Sequence, residues 1–532
     1  MNLRDTLLSS LKTLPGTREF HVHVIVSSPR RDNSLYPYAH PRPRVYLQDI
    51  LVLLSEQVSP DSPRNFVSAI EAYLYHIPAT SCAVLNITKL DSTGQAIAPS
   101  PTPTLIQSFI TFYGDRTTRP VAANHIWIHV FARAQNQYLF PNSSEYPGKR
   151  PLGDIQLCAW WKRVLTRVAS EVESRAKNDT LIRLFHILPG YGETEAMHAL
   201  QRAASSSAAT PHSSSNCSWT YGHPYSQSEI PLPCSNSGSD EWRGNLGNFV
   251  PSFDDDPKSR FMDEIAYITE ADGVRSPQKK RPKLSSNRSG DLESTNSVNR
   301  DDDSRNKRDK GDRPRGELDR VTPGEFWERM SFRQECVSGA VTAFFVVGIS
   351  CPADTPSLSP ISPLSPQPGQ VSSQINKRIM STLLTGHEFS TLERSVRATE
   401  LLEGAIKGLC EGLSAMPAKP ISVARPPRSH EAGRRTPEPQ CPSDVLPEPP
   451  RTPPRRLQVL GSQPTTDITP NPFPEPVASL ETYNSYIYGS VSVCNPPLPS
   501  RPTGEPSAPM NGRDVGQPVT VLAVRKKKKH TK

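Results

Sequence analysis

Alternation of apolar and polar residues marks several strands in the first half of the chain. Phe20–Val26 alternates histidine with valine, His125–Arg133 alternates branched aliphatic residues with larger or polar ones, and Cys82–Thr88 leads into a polar turn at residues 91–94. Because a strand with one buried face repeats every second residue, we predict a strand in each segment. The choice between helix and strand stays open for two apolar stretches, Val45–Leu54 and Phe66–Tyr75.

Helical periodicity is present where apolar residues recur every three or four positions. A stripe of this kind begins at Asp154 and continues to about Lys177, which predicts a long amphipathic helix with Asp154 as its N-cap. Leu105–Tyr113 also fits a helix, and Ile375–Leu413 fits one or two helices. Helices and strands therefore mix without a repeat or a regular alternation, which predicts a mixed α/β core.

Shifts in composition divide the chain into four parts. Residues 1–274 and 321–413 form the predicted core, since the apolar periodicity is confined to them. Residues 275–320 are charged and lack such periodicity, which predicts a disordered insert. Residues 414–532 are rich in proline and predict a disordered tail with a basic C-terminus. Within the core, a loop-like Ser-rich stretch and a buried strand are predicted at residues 203–247 and Val337–Ile349.

The overall composition agrees with a folded core that covers only part of the chain. The 532 residues include 56 prolines, and the mean hydropathy is −0.52. A chain this polar is not expected to fold as one packed body, whereas a core of about 300 residues with disordered additions fits.

Positive charge is concentrated in three blocks, although the net charge is only +8 at pH 7. They are Lys279–Lys283, Arg451–Arg456 and Arg525–Lys529. Each block alone has two interpretations: a solvated run of charge, or a functional segment that directs nuclear import or binds an acidic partner. The three blocks together favour a location in the nucleus. Direct binding of nucleic acid stays open.

Other sequence features argue against membrane insertion and secretion. No segment reaches the roughly 18 apolar residues that span a bilayer, and the leucine stripe of Leu3–Leu11 predicts an amphipathic helix rather than a signal peptide. The nine cysteines form no CxxC pair, which favours free thiols in a reducing compartment.

Standard nucleotide, hydrolase and metalloprotease signatures are missing from the chain. There is no P-loop, GxGxxG, GxSxG or HExxH, and the phosphate loop of the common small acetyltransferases is also absent. The histidine pairs His21/His23 and His125/His129 lie in strand patterns without carboxylate or cysteine partners, so we interpret them as ordinary strand histidines and predict no metal site.

The acidic cluster at Asp254–Asp256 is the first candidate for chemistry. Asp256 followed by Pro257 is a strong signal for the start of a helix, with Asp as N-cap and Pro in the first turn. Adjacent carboxylates also repel one another, which makes one of them a candidate proton acceptor. Lys258 would offset part of that repulsion, and its acetylation would alter the electrostatics of the site.

Three further features have a structural and a functional interpretation. Trp161 belongs to the apolar stripe of the predicted long helix, which by itself indicates packing in the core. Tyr138 would by itself be interpreted as a turn tyrosine at the end of a strand. Lys149 and Arg150 form a surface basic turn by default, but such a cation pair could also hold a phosphate.

Taken in order, these motifs resemble the fungal Rtt-type (regulator of Ty transposition) histone acetyltransferases. The resemblance covers most of residues 1–274 and about 321–413. It rests on the following segments: Lys89–Gly94, Phe131-x-Arg133, Gln137–Ser144, Trp160-Trp161, Asp255–Phe261, Phe326-Trp327, Arg333–Glu335 and Gly348–Ser350.

The resemblance implies a fold, a reaction and a set of partners. The fold would be a central mixed sheet surrounded by helices, similar to the animal CBP-type acetyltransferases. The reaction would be acetyl transfer from acetyl-CoA to a lysine of histone H3, bound with H4 and presented by histone chaperones of the anti-silencing and NAP types. The implied setting is the nucleus, with links to chromatin assembly, the DNA damage response and transcription regulation.

The resemblance also implies roles for individual residues. Asp256 would be the acid/base or orienting carboxylate, supported by Asp255 and Asp91, while Trp161 and Tyr138 would form a wall around the lysine stem. Lys258 matches a lysine that family members acetylate on themselves. The residues implied to line the cofactor are Leu90, which stands where the family usually has alanine, Ile97, Ala98, Pro99, Ser100, Phe131, Arg133, Gln135, Lys149, Arg150, Pro151, Leu152 and Trp160.

We therefore expect direct attack of the substrate lysine within a ternary complex, because no cysteine stands in a recognisable nucleophile motif. This mechanism requires Asp256 and Trp161 to converge around one narrow channel. Two alternatives stay open at this stage. One is a non-catalytic nuclear adaptor for chromatin and chaperones that retains the fold, and the other is a nucleic-acid-binding regulator that depends on the basic blocks.

Overall fold

The computed structural model describes residues 2–176, 180–205, 218–234, 245–267, 316–333, 340–351, 362–414, 473, 476 and 478–497. Within these residues, eleven strands form one sheet. They are β1 (Gly16–Ser27), β2 (Arg30–Asp32), β3 (Val45–Gln57), β4 (Asn65–Ile77), β5 (Cys82–Ser92), β6 (His125–Ala132), β7 (Leu181–Ile187), β8 (Trp219–Tyr221), β9 (Ala343–Ser350), β10 (Gln370–Val371) and β11 (Tyr488–Asn495).

The sheet is mixed, as predicted. Its order is β10-β1-β3-β4-β5-β6-β9-β7-β8, with β2 added beside β3 and β11 added beside β1. The pairs β5–β6, β7–β8 and β1–β10 are parallel. The remaining pairs among the described strands are antiparallel.

Helices cover both faces of the sheet, which confirms the predicted fold class. Their bounds are α1 (Leu3–Leu11), α2 (Thr102–Gly114), α3 (Asp154–Arg175), α4 (Glu193–Ser205), α5 (Pro257–Tyr267), α6 (Pro323–Met330), α7 (Ser373–Thr385) and α8 (Leu392–Ser414). Short helical turns are present at Pro78–Thr80, Ser143–Glu145, Pro224–Ser226, Leu246–Asn248, Leu480–Thr482 and Tyr483–Ile487.

Strand β6 shows how the two faces are separated. Its residues Ile126, Ile128 and Val130 pack in one buried cluster with the apolar stripes of α2 and α3. Trp127, whose side chain has the opposite orientation, packs in a second cluster with α5 and α6. Because successive side chains of a strand alternate between faces, β6 contributes to both layers of the core.

The structure confirms the strands predicted from alternation and resolves the two ambiguous stretches. Val45–Leu54 lies within β3 and Phe66–Tyr75 lies within β4. Twelve consecutive residues of β3 are buried. A strand that is covered on both faces has no polar side, and its sequence therefore loses the alternation that would distinguish it from a helix.

The long helix begins at Asp154 as predicted, but the predicted N-cap is wrong by one residue. Helix α3 begins at Asp154, so the N-cap is Gly153 and not Asp154. Oδ2 of Asp154 instead accepts a hydrogen bond from the backbone N–H of Val341, at 3.1 Å, and so joins the helix to the segment before β9. Lys177, the predicted helix end, lies outside the described residues.

Two segments predicted to be irregular contain ordered elements. The Ser-rich stretch at 203–247 includes the end of α4 and the strand β8, which pairs with β7. Within the predicted insert, residues 316–320 form an ordered turn, where Leu318 is fully buried and its carbonyl accepts a hydrogen bond from Leu246 N–H at 2.9 Å. Residues 275–315 lie outside the described residues, as does Val337 at the start of the predicted buried strand.

The prediction of a wholly disordered tail is wrong at residues 478–497. Strand β11 pairs with eight residues of β1, from Gly16↔Asn495 to His23↔Tyr488. The hydroxyls of Tyr488 and Tyr483 lie 2.9 and 3.0 Å from ring nitrogens of His21 and His23, so two of the strand histidines have tyrosine partners. This pairing joins positions more than 460 residues apart, and no local pattern could reveal it.

Among the described residues, no helix combines the length and the apolar character needed to cross a membrane.

Candidate active site

A cavity of about 150 Å³ lies where the parallel strands β5 and β6 separate. Their pairing ends at Ile87↔Val130. Beyond this point β5 continues beside β4 as far as Ser92, while β6 continues beside β9 as far as Ala132. The carboxyl ends of the two strands therefore diverge, and the space between them is open to a ligand.

A bulge in β5 contributes to this separation. Glu71 of β4 pairs with Lys89, and the next residue, Ala72, pairs with Ile87, which leaves Thr88 as an extra residue in β5. A bulge bends its strand and increases its twist. Thr88 is itself one of the residues that line the cavity.

The cavity brings together six of the predicted site residues and seven others. The predicted ones are Phe131, Arg133, Gln135, Tyr138, Asp255 and Asp256. Of the others, Asp254 belongs to the acidic cluster that the sequence indicated, and the residues that the sequence did not indicate as site residues are Asn86, Ile87, Thr88, Lys89, Gln137 and Phe253. A usable signal was present in β5, because Asn86 and Thr88 are polar positions within an otherwise apolar strand.

Asp256 lies at the start of α5, where the sequence predicted a cap. Its Oδ1 accepts a hydrogen bond from Lys258 N–H at 2.9 Å, and its Oδ2 lies 3.1 Å from Lys258 Nζ. The side chains of Asp256 and Lys258 are 6% and 4% exposed. One buried carboxylate therefore caps the helix, pairs with a buried ammonium group and borders the cavity.

Aromatic rings and a histidine surround the ammonium group of Lys258. Its Nζ lies 5.2 Å from the ring centre of Phe253 and 5.3 Å from that of Phe344, distances at which a ring face attracts a cation. Burial, and secondarily the charge of Lys258, keeps the pKa of His129 well below its usual value. His129 is therefore neutral at neutral pH.

The loop before α5 is held in a defined conformation. Ser259 Oγ donates to the carbonyl of Phe253 and accepts from its N–H, each at 2.8 Å. Asp255 has a φ of 57°, in the left-handed region, where Asp is among the few residues enriched. Asp254 and Asp255 are exposed whereas Asp256 is buried, so the three carboxylates of the cluster occupy different environments.

Asp91 connects the end of β5 to the segment that carries Tyr138. Its Oδ2 accepts hydrogen bonds from the N–H groups of Tyr138, Leu139 and Phe140, at 2.7, 2.8 and 3.2 Å. Its Oδ1 lies 2.9 Å from Lys149 Nζ. Asp91 does not line this cavity, but its hydrogen bonds fix the position of Tyr138, which does.

Tyr138 is an aromatic wall residue with a neutral hydroxyl group. Burial raises the pKa of its phenol to about 12, so it is protonated at neutral pH. The hydroxyl donates to the carbonyl of Arg133, which fixes the ring against the cavity. A phenol in this state can donate a hydrogen bond but is a poor proton acceptor.

The segment after β6 forms another wall. Phe131 stacks on Phe344 with ring centres 4.6 Å apart, and the Arg133 guanidinium lies 6.0 Å from the Phe131 ring. The amide of Gln135 can orient its oxygen toward Arg133 Nη2 and Nε, at 2.6 and 3.1 Å. This contact holds the guanidinium at the rim of the cavity.

Two of the predicted cofactor segments lie side by side. A Cβ built on Gly94, which has a φ of +78°, would come within 2.5 Å of the Cα of Lys149, so only glycine allows this approach. The loop after β5, which leads from Gly94 to Ile97–Ser100, therefore approaches the turn Lys149–Leu152 at Gly94, while Leu90 lies in β5 itself. The interpretation of Lys149 as a surface cation is wrong, because its side chain is 6% exposed and pairs with Asp91.

The remaining pair of predicted site residues lies elsewhere. Trp160 and Trp161 pack edge to face, with ring centres 5.0 Å apart, on the face of the sheet that α2 and α3 cover. Helix α5, with Asp256 before it, packs on the other face. Phe131, Tyr138 and Phe253 form the aromatic walls of this cavity, which Trp161 does not line, and the convergence of Trp161 with Asp256 stays a prediction. The role of Trp161 beside the substrate is a prediction as well.

In the described part of the chain, no group of three or more His, Cys, Asp or Glu side chains could hold a metal ion. Acetyl-CoA, the co-substrate that the family resemblance implies, would require an apolar surface together with groups that bind its phosphates. Exposed Arg150 precedes the first turn of α3, whose N-cap, Gly153, has no side chain to satisfy the turn's free N–H groups. The N-terminus of a helix favours anions, so Arg150 and the first turn of α3 fit the phosphates of CoA.

Comparisons with known proteins agree with this architecture. The family described as "Histone acetyltransferase KAT11-type domain" matches residues 115–404, more than half of the chain. The chain is similar to histone acetyltransferase rtt109 of Aspergillus flavus, with 27% identity over 319 residues, 55% of this chain and 46% of the relative. It therefore spans about half the length of that relative.

The fold is similar to that in the crystal structure of Rtt109 from Aspergillus fumigatus. The TM-score is 0.54 at 23% identity, and the similarity covers 76% of this chain and 96% of that chain. The family match extends from the end of α2 to within α8 and includes the cavity walls from Phe131 to Asp256. The chain belongs to the histone acetyltransferase KAT11-type domain family.

Proposed function

We propose that this protein transfers the acetyl group of acetyl-CoA to a lysine of histone H3. In this proposal H3 is bound with H4, and chaperones of the anti-silencing and NAP types present it in the nucleus. The role would belong to chromatin assembly, the DNA damage response and transcription regulation. Membership of the family supports the reaction, and the observation that carries the proposal is the buried carboxylate of Asp256 at an aromatic cavity.

The reaction requires a proton acceptor for the substrate. A free lysine has a pKa near 10.4, so only about one amine in 2,500 is neutral at pH 7. Asp256 borders the cavity and forms an ion pair with Lys258. Its carboxylate can orient the incoming ammonium group and take its proton, directly or through water.

The walls of the cavity suit the long apolar stem of a lysine. Phe131, Tyr138 and Phe253 contribute aromatic surface, which removes water from the stem while the amine stays near the carboxylate. Because Tyr138 is protonated at neutral pH, its part is to shape the wall and not to accept the proton. Exposed Asp254 and Asp255 place negative charge at the cavity, which favours a basic segment such as a histone tail.

Acetyl-CoA supplies the activated acetyl group when it is bound. In the proposed complex, Ile97–Ser100 and Pro151–Leu152 provide backbone and apolar contacts, and Arg150 with the start of α3 provides contacts to phosphate. Leu90, Phe131, Arg133, Gln135 and Trp160 would complete the binding surface, as the family resemblance implies. Lys149 supports this surface through its contacts with Gly94 and Asp91.

The state of two buried cysteines supports direct transfer within a ternary complex. Burial raises the pKa of Cys158, in α3, to about 12 and that of Cys82, in β5, to about 11. Both thiols are protonated at neutral pH, and a protonated thiol is a poor nucleophile. Trapping of an acetyl-cysteine intermediate would contradict this part of the proposal.

The test uses the purified chain, acetyl-CoA and H3–H4 bound to a chaperone. Mass spectrometry of the histones should find acetylated H3 lysines, and Asp256→Asn should abolish most of the product. Trp161→Phe tests whether Trp161 contacts the lysine stem, as the family resemblance implies, although it does not line the cavity. Absence of both product and acetyl-CoA binding by calorimetry would favour the adaptor hypothesis. Salt-sensitive DNA binding that survives removal of residues 1–270 would favour the nucleic-acid-binding regulator.

A further inference from the structure

A buried ion pair lies beneath the loop that contains Ile97 and Pro99. Arg18 of β1 and Glu56 of β3 are joined by an Nη1–Oε1 distance of 2.9 Å, and each side chain is 1% exposed. Glu56 pairs with Phe20 in the register of β1 and β3, so Arg18, two residues before Phe20, lies diagonally across from Glu56 on the same face of the sheet. Such a pair is costly to bury unless further hydrogen bonds satisfy both groups.

Those further hydrogen bonds all reach one loop or the start of β1. Arg18 Nη1 donates to the carbonyl of Ile97 at 2.7 Å, and Arg18 Nη2 donates to the carbonyls of Pro99 and Pro15 at 3.0 and 3.2 Å. Glu56 Oε2 accepts from the N–H of Ile97 at 3.1 Å. The pair thus holds both backbone polar groups of Ile97 and also the carbonyl of Pro99, two residues further along the loop.

The result is an apolar side chain that stays exposed on an anchored backbone. Ile97 is 40% exposed although its backbone is held from below. On the adjoining turn Leu152 is 41% exposed, and the approach of Gly94 to Lys149 joins the two segments. Exposed apolar side chains on rigid neighbouring segments form a surface for a ligand that is partly apolar.

We propose that Arg18 and Glu56 are positioning residues that hold the Ile97–Ser100 loop in shape for acetyl-CoA. This inference rests on the proposed function and deepens it. It states that the affinity for acetyl-CoA depends on Arg18 and Glu56, although neither residue contacts acetyl-CoA or the histone. The pair is separate from the cavity and from Asp256. Disturbing it should therefore change the binding of CoA while the chemical step is retained.

The first test is Arg18→Lys. This variant keeps the positive charge but lacks the planar guanidinium group whose two nitrogens donate to the Ile97 and Pro99 carbonyls. We expect the Kd of CoA by calorimetry and the KM of acetyl-CoA to rise roughly tenfold, with kcat changed by less than about threefold. Arg64→Lys is the matched control, since Arg64 pairs with Glu403 at 3.1 Å on other elements. That control should bind CoA as the unmodified chain does.

Glu56→Gln is the second variant and covers the case in which Arg18→Lys does not fold. It is nearly isosteric, and hydrogen–deuterium exchange should show faster exchange at the Ile97 amide. A raised Kd in Arg18→Lys, or in Glu56→Gln where Arg18→Lys does not fold, supports the inference, and an unchanged Kd in that same variant overturns it. If the unmodified chain binds no CoA, the proposed function fails and this inference falls with it. If the unmodified chain binds CoA and acetylates histones, the variants test the positioning role alone.

Discussion

Asp256 and Lys258 form a buried ion pair at the first turn of α5, with 3.1 Å between Oδ2 and Nζ. The same carboxylate caps the helix and borders the cavity. A single side chain therefore links the stability of α5 to the proposed chemistry. A variant at this position must be examined for folding as well as for activity.

The first prediction concerns Asp256→Asn. The amide can still accept the hydrogen bond from Lys258 N–H, but it cannot take a proton from the substrate. We expect kcat for H3 acetylation to fall by about 10²-fold or more, the usual contribution of a general base. Circular dichroism would establish that the variant is folded. Asp61→Asn, an exposed position between β3 and β4, is the charge-matched control, and full activity in Asp256→Asn would exclude the proposed role.

The second prediction concerns the ion pair of Asp91 and Lys149, whose side chains are 5% and 6% exposed. Asp91→Ala leaves a buried ammonium group without its partner and frees three amides of the Tyr138 segment. We expect the free energy of unfolding to decrease by about 3–5 kcal/mol. Adding Lys149→Met should recover part of the loss, with a coupling of about 1–3 kcal/mol between the two sites. Strictly additive effects in urea denaturation would show that the pair is not coupled.

The third prediction is a dependence of stability on pH that arises from His23. Burial lowers the pKa of this histidine from 6.5 to about 3. Between these values the unfolded chain binds a proton that the folded protein does not, so stability decreases as the pH falls below 6.5. The contribution to the slope is about 1.4 kcal/mol per pH unit. Chemical denaturation from pH 7 to 4 should give a shallower slope for His23→Gln than for the unmodified chain, and equal slopes would contradict the assignment.

The fourth prediction concerns β11, which adds to the edge of β1. A chain that ends at residue 477 would expose the unpaired N–H and C=O groups of that edge, and such edges promote association between chains. We expect a lower Tm by calorimetry and dimers or larger species by analytical ultracentrifugation. A chain that ends at residue 497 keeps β11 and is the control. A monomer of unchanged Tm after the shorter truncation would show that β11 does not stabilise the fold.

Local sequence alone determined the elements whose two faces carry different kinds of side chain. The alternation in β6, the apolar stripe of α3 and the Asp256-Pro257 start of α5 were all predicted correctly in kind, because each depends on side-chain geometry within a few residues. Motifs in their order also indicated the family, and the family match supports this interpretation.

Tertiary structure decided which distant residues meet. Strand β3 lost its alternation because both faces are covered, and β11 is ordered because the edge of β1 satisfies its backbone. The partners of Asp91 and the location of Trp161 on the face away from α5 likewise depend on strand order and helix packing. A local pattern records which side of an element is buried, but not which other element buries it. For that reason the sequence supplied most of the candidate residues, and only the fold distinguished those that line the cavity from those that support it.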